Sequence, residues 1–370
     1  MIPVDRHEAD ARSAAEQQKI GMGRRRPVET GERQRQWPSP GAVYGAVDLG
    51  THNCRMLIAR IEDDRRLRVI GSFSRAVRLG EGVAVNGRLA EPAIARALGA
   101  LAVCARRMRN AGVRRSRGIA TEACRRADNG PAFLKRVEAE TGIALEPVTP
   151  AEEAQLTLAG CVQHLDPRYP RVLLFDIGGG STEITWIEQA PGRPPHTVGL
   201  LSLPHGVVTF AERFGGDRIA ADGYAEMART IDAALAGFDA EHAIARNVAD
   251  GRVQMLGTSG TVTTLAAVHL GLKRYDRKRV DGLDIGFDDI AAVSAELAVS
   301  DWSGRAANPC IGPVRADLVV AGCAILEAVC RRWPVGRLRI ADRGIREGLL
   351  LAMVAAERAV AQAGAGVPIS

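Results

Sequence analysis

Two glycine-punctuated hairpins constrain this chain more than any other feature. Leu173–Ile184 (LLFDIGGGSTEI) is an apolar run that ends on an acid, followed by three glycines, two hydroxyls, a second acid and another β-favouring residue. That order predicts strand, tight turn, strand. Consecutive glycines let the backbone turn sharply and leave its N–H groups unshielded by Cβ atoms. Such N–H groups form a concave anion site, to which Ser181 and Thr182 add hydroxyl donors. Asp176, at the strand end, is placed to hold a divalent cation against a bound phosphate, with waters between. Taken alone, the loop has one lesser alternative, a glycine-rich hairpin that binds nothing. Val43–Ile58 repeats the grammar: strand, Asp48, Gly50, Thr51, strand. The two acids lie 128 residues apart. That is the spacing of two related domains, each offering a phosphate-gripping hairpin to one cleft, and not of a tandem array.

The paired loops resemble the phosphate motifs of the actin, sugar-kinase and heat-shock-chaperone ATPase superfamily. The resemblance implies two α/β domains of the actin-like ATPase type around an interdomain cleft. A chain of 370 residues is long enough for this. The expected divisions are a basic, disordered tail over 1–40, a first domain over 41–166, a second over 167–358 and a flexible tail over 359–370. No apolar run approaches the roughly 20 residues that span a bilayer, and the N-terminus lacks the apolar core of a secretory signal. The seven cysteines are scattered, without a Cys-x-x-Cys pair, which predicts buried reduced thiols and a cytoplasmic setting. The histidines form no His-x-x-x-His pair, and neither a P-loop nor a Gly-x-Ser-x-Gly elbow occurs.

The net charge of +6 is carried by arginine and is unevenly placed. Eight arginines and one acid fall between Arg106 and Arg126, and five basic residues and one acid between Lys273 and Arg279. Guanidinium groups bind phosphate oxygens bidentately, so a polyanionic ligand fits, and two basic stretches bordering the cleft would favour a long one. A compositional bias explains the arginines equally well, and charge alone does not separate polyphosphate from nucleic acid.

Thr149-Pro150-Ala151-Glu152-Glu153 opens a helix, with Thr149 as N-cap and Pro150 at the first helical position. Glu152 then occupies the capping-box position and is explained structurally. Glu153 points about 100° away around the helix, where it can act as a general base on water. Its alternative is a second acid favoured by the helix dipole. Arg125 and Arg126, after a short strand at Ser116–Ala120, either reach the cleft or are solvated helix charges. Gly257-Thr258-Ser259-Gly260-Thr261 is a third glycine punctuation, a strand running into a helix N-terminus suited to anions.

Together these ordered motifs resemble the exopolyphosphatase/guanosine pentaphosphatase family, from about Val43 to about Arg358. The motifs are Asp48-Leu49-Gly50-Thr51, Ala120-Thr121 with Arg125, Glu152-Glu153-Ala154, Asp176 to Glu183, Gly257 to Thr261 and Arg346-Glu347-Gly348. The resemblance implies Glu153 as general base, with Asp176 and Glu183 assisting binding of Mg²⁺ or another divalent cation; Asp48 joins that metal set. It further implies phosphate contacts from Arg55 and Arg125 and three loops lining the cleft: Gly50, Thr51 and Asn53; Gly178, Gly179, Gly180, Ser181 and Thr182; Gly257, Ser259, Gly260 and Thr261. The implied activity is release of terminal phosphate from inorganic polyphosphate, with guanosine pentaphosphate (pppGpp) as the closest alternative substrate. A sugar or acid kinase, or a non-catalytic polyphosphate or alarmone sensor, is more distant. The expected partner is a polyanionic phosphate substrate, with no membrane and no specific nucleic acid; a homodimer is admitted without a sequence signal for it. Two departures stand out. His52 and Asn53 replace the usual Asn and Ser after Gly50-Thr51, and Gln155 stands where arginine is common. The longest members carry a helical C-terminal extension, so the match is to the short form.

Overall fold

The computed structural model describes residues 41–62 and 66–364. The expected N-terminal tail over 1–40 and the last residues, 365–370, lie outside the described residues. β1 (Val43–Leu49), β2 (Asn53–Ile61) and β3 (Leu67–Ala76) form an antiparallel meander. β4 (Arg115–Ala120) and β5 (Leu145–Pro147) add in parallel on the other side of β1, giving the order β3-β2-β1-β4-β5. β1 is buried at every position, which is why it reads as a continuous apolar run and not an alternating one.

The second half repeats the plan. β6 (Arg171–Ile177), β7 (Thr182–Glu188) and β8 (His196–Leu203) are the antiparallel meander. β9 (Val253–Thr258) runs parallel to β6. After β10 (Asp284–Gly286), β11 (Arg337–Ala341) runs parallel to β9 and carries β10 as an antiparallel edge. Without that edge strand, both sheets have the same order counted along the chain. Each half therefore sends one hairpin, β1-β2 or β6-β7, from its central strand. The register pairs Asp48 with Arg55 in the first hairpin and Asp176 with Glu183 in the second.

Helices cover the sheets through apolar faces at helical spacing. Glu91–Asn110 buries Ile94, Ala97, Leu98, Leu101, Cys104 and Met108 in the first core. In the second, Ala221–His242 supplies Met227, Ile231, Leu235 and Phe238 against Val319–Arg332. The last helix, Ile345–Gly364, returns to the first sheet, where Leu349, Leu350 and Val354 pack on Tyr44, Leu57 and Ile119. The expected division at 166/167 would have left this helix with the second half. It also runs past Arg358, through residues expected to be a flexible tail, because Ala355–Gln362 is rich in helix-forming side chains. Both sheets belong to one compact unit. All seven cysteines are free and buried. No helix among the described residues is long and apolar enough to cross a membrane.

Candidate active site

The two hairpin tips meet. Gly50 N–H donates to the Asn53 carbonyl at 2.8 Å, and Gly178 N–H to the Ser181 carbonyl at 2.9 Å, closing each turn. A Cβ on Gly179 would stand 3.1 Å from the His52 Cβ, and one on Gly180 2.8 Å from the Thr51 hydroxyl. The bare backbone at these two glycines is what lets the loops of the two halves touch. Above them lies a cleft of about 680 Å³. It brings together Asp48, Gly50, Thr51, Asn53, Arg55, Glu153, Asp176, Gly178, Gly179, Gly180, Ser181, Glu183, Ser259, Gly260 and Thr261. The third loop enters as the helix Ser259–His269, whose N-terminus has no side-chain cap. Its first N–H groups are therefore available to an anion. Ser259 holds φ at +81°, a sparsely populated region for a non-glycine residue that persists where surroundings over-determine it.

Three expected phosphate contacts fall elsewhere. Thr182 is fully buried and its hydroxyl donates to the His205 carbonyl at 2.7 Å. Gly257 lies under the ring of Phe175, where a Cβ would approach to 2.8 Å, so it serves packing. Arg125 donates Nη1 to Glu153 Oε2 at 3.0 Å and to the Val148 carbonyl at 2.7 Å. Its guanidinium is thus spent on the acid and the strand end beside it. Glu152 behaves as half a capping box. Its N–H reaches the Thr149 hydroxyl at 3.2 Å, while its carboxylate pairs with Arg117 at 2.6 Å. The basic stretches do not border the cleft as a pair. None of the arginines from Arg106 to Arg126 lines it, and of the basic side chains from Lys273 to Arg279 only Arg277 does. Arg277 is itself tied to Glu347 Oε1 at 2.7 Å and to the Asp342 carbonyl.

Two arginines outside the expected set supply the charge instead. Arg315, just before the helix Val319–Arg332, and Arg346, at the start of the last helix, converge on the cleft with Arg55. Among the described residues none of the three forms an ion pair; the nearest side-chain partner of Arg315 is the Thr264 hydroxyl at 3.2 Å. Burial lowers the pKa of both Arg315 and Arg346, and the nearby Arg55 lowers each further. Glu347, Asp48 and Asp342 oppose that lowering at Arg346, and Asp342 at Arg315, but none is within ion-pair distance, so like charges gathered in a buried cleft favour an anion among them. Arg346 opens the Arg346-Glu347-Gly348 motif without a role read from it, and Arg315 stands in no motif, so nothing in the chain order brings the two together.

The acids face the same cleft under the opposite strain. Burial pushes Asp48 and Asp176 above the ordinary aspartate range, with Arg55 opposing in both. Glu183 is pushed up to about 7 by burial and then by Asp176. Glu153 is held well above the carboxylate range, first by burial and then by Glu183, against Arg125. A carboxylate so placed is a stronger base than one in water. The donors at the loops are all oxygen atoms, and no set of three or more His, Cys, Asp or Glu side chains among the described residues is placed to hold a metal ion together. His52 is buried with both ring nitrogens unpartnered, and burial lowers its pKa to about 3.

Duplicated sheets, paired hairpins and a cleft between them are the architecture of actin-like ATPases, and the chain has that fold. The profile of the Ppx/GppA phosphatase family matches residues 57–357. The chain belongs to this family of phosphohydrolases. It is 29% identical over 321 residues to exopolyphosphatase 2 of Mycobacterium tuberculosis, covering 83% of this chain and 97% of that one. Among solved structures it is similar to an exopolyphosphatase from Cytophaga hutchinsonii, with 25% identity and a TM-score of 0.76 over 85% of this chain and 98% of that one. It is also similar to the Aquifex aeolicus member of the Ppx/GppA family, with 27% identity and a TM-score of 0.68 over 85% and 98% of the two chains.

Proposed function

We propose that the protein releases the terminal phosphoryl group of inorganic polyphosphate as orthophosphate. The observation that carries this reading is the convergence of Arg55, Arg315 and Arg346, without ion pairs, on the two hairpin tips and the uncapped N-terminus of the Ser259 helix. A chain of phosphates supplies negative charge at every unit and relieves all three at once. Glu153, held by Arg125, takes a proton from a water that attacks the terminal phosphorus in line. The bond to the bridging oxygen breaks, orthophosphate leaves, and the shortened chain keeps the leaving oxygen. Donors from Gly179, Gly180 and Ser181, from Thr51 and Asn53, and from the Ser259 helix meet the phosphoryl oxygens where charge develops.

The oxygen donors suit Mg²⁺, a hard cation that keeps several waters and shares its shell with phosphate, so that a cage of three protein ligands is not required. Asp176, Glu183 and Asp48 are the side chains that would hold it. When bound, it would neutralise phosphate oxygens.

One observation favours pppGpp as a second reading: Tyr275, Pro309 and Ile311 give part of the cleft an apolar wall that a purine ring could use. Orthophosphate release measured side by side on long polyphosphate, tripolyphosphate, pppGpp and ATP tests the choice. The proposal expects the highest kcat/KM on long polyphosphate. A preference for pppGpp transfers the function to the nucleotide.

A further inference from the structure

The two halves touch a second time beside the cleft. Arg78 Nη2 donates to both carboxylate oxygens of Asp317, at 3.0 and 2.8 Å, and to the Val314 carbonyl at 3.3 Å. The partners are 239 residues apart. Nearby, Gly82 N–H donates to Glu212 Oε1 at 2.8 Å. Arg78, Asp317 and Glu212 line a side chamber of about 390 Å³ that shares His52 and Leu318 with the main cleft. The Arg78 side chain is 36% exposed, so as a stabilising ion pair it contributes little.

Its surroundings are nonetheless fixed on both sides. Arg78 holds φ at +48°, a left-handed conformation that arginine rarely adopts. Its own N–H donates to the His52 carbonyl at 3.0 Å, at the first hairpin tip. Arg96 braces the preceding residue through the Val77 carbonyl at 2.8 Å and pairs with Glu81 at 2.8 Å. On the other side, Asp317 sits in a turn whose Leu318 and Val319 N–H groups donate to the Arg315 carbonyl at 2.9 and 3.0 Å. The buried Arg305 holds the same turn through the Ala316 carbonyl at 2.7 Å. Arg315, two residues before Asp317, is one of the three cleft guanidiniums.

We propose that Arg78 is a positioning residue for phosphate binding: by gripping Asp317 and Val314 it ties the turn that carries Arg315 to the first hairpin tip. This rests on the reading of Arg315 as a phosphate ligand. Arg78 acts from outside the main cleft, through Arg315, and sets where that guanidinium meets a phosphoryl oxygen as the halves close on substrate.

A double-variant cycle separates this role from a merely structural one. Arg78→Ala should raise KM for polyphosphate by about tenfold with a smaller change in kcat, because a displaced ligand weakens binding first. Arg78→Gly, which relieves the backbone while removing the same side chain, should match it. In an Arg315→Ala background the added Arg78→Ala should change KM by less than about twofold, since residues that act as a unit are not additive. An equal rise in both backgrounds overturns the proposal, as does wild-type KM in Arg78→Gly. The same cycle is read without turnover from tripolyphosphate Kd by calorimetry. If the wild-type enzyme releases no phosphate, the functional reading fails while that cycle still decides the role of Arg78.

Discussion

Glu152 and Glu153 are neighbours in sequence with separate tasks, because one helical step turns the side chain by about 100°. Glu152 spends its carboxylate on Arg117, and Glu153 looks into the cleft. Glu152→Gln should therefore cost about 1 kcal/mol at most and keep turnover, since its pair is part-exposed; thermal unfolding and steady-state kinetics check both. Arg125 opposes the rise in the Glu153 pKa. Arg125→Ala should move the acidic limb of the kcat–pH profile to higher pH, because the base must be ionised to accept a proton; an unmoved limb would disconnect the two residues. The cleft-facing position of Glu153 was legible because Thr149-Pro150 fixes the frame of its helix. The pairing of Arg125 was not, since its partner lies 28 residues on and only tertiary packing brings them together. The approach of Arg315 to the cleft was hidden for the same reason: only tertiary packing brings it beside Arg55 and Arg346.

At the scale of elements, two helices carry the reactive groups and cross at glycine. Pro150–Cys161 holds Glu153, and Ile345–Gly364 opens with Ile345-Arg346. A Cβ on Gly348 would fall on the Leu156 carbonyl oxygen, and one on Gly160 on the Gly344 carbonyl oxygen. Both oxygens belong to the backbone, so relief requires the helices to part. Gly348→Ala should destabilise the protein by about 1–3 kcal/mol, the usual cost of overpacking, and lower kcat by moving Glu153 relative to Arg346. A Tm within a degree of wild type would show that the crossing tolerates the methyl. The hairpins, the long amphipathic helices and the central strands were readable because their periodicity or turn chemistry is local. β10, three residues long, is too short to carry a period, and the return of the last helix to the first sheet is a matter of packing that its own sequence does not specify.

At the scale of the molecule, the cleft gathers acids (Asp48, Glu153, Asp176, Glu183) and guanidiniums (Arg55, Arg315, Arg346) around the hairpin tips. The pH dependence follows from the acids. Glu183, with its folded pKa pushed up to about 7, is accommodated better protonated than ionised. Its stabilising share is complete below the ordinary glutamate value of about 4.3 and is lost as pH rises through the folded value. Glu183→Gln should consequently melt higher than wild type at pH 8 and gain nothing at pH 4, as calorimetry would read. The two-part architecture was legible from the spacing of the hairpins, whereas the contacts that join the halves, such as Arg78 with Asp317, are set only by the assembled fold. The central claim is that this cleft hydrolyses the end of a polyphosphate chain with Glu153 as base. Orthophosphate release from long polyphosphate by wild type and Glu153→Gln, with tripolyphosphate binding measured on both, tests it most directly. The expected result is release by wild type, none by the variant, and binding by both; release by Glu153→Gln at the wild-type rate would contradict it.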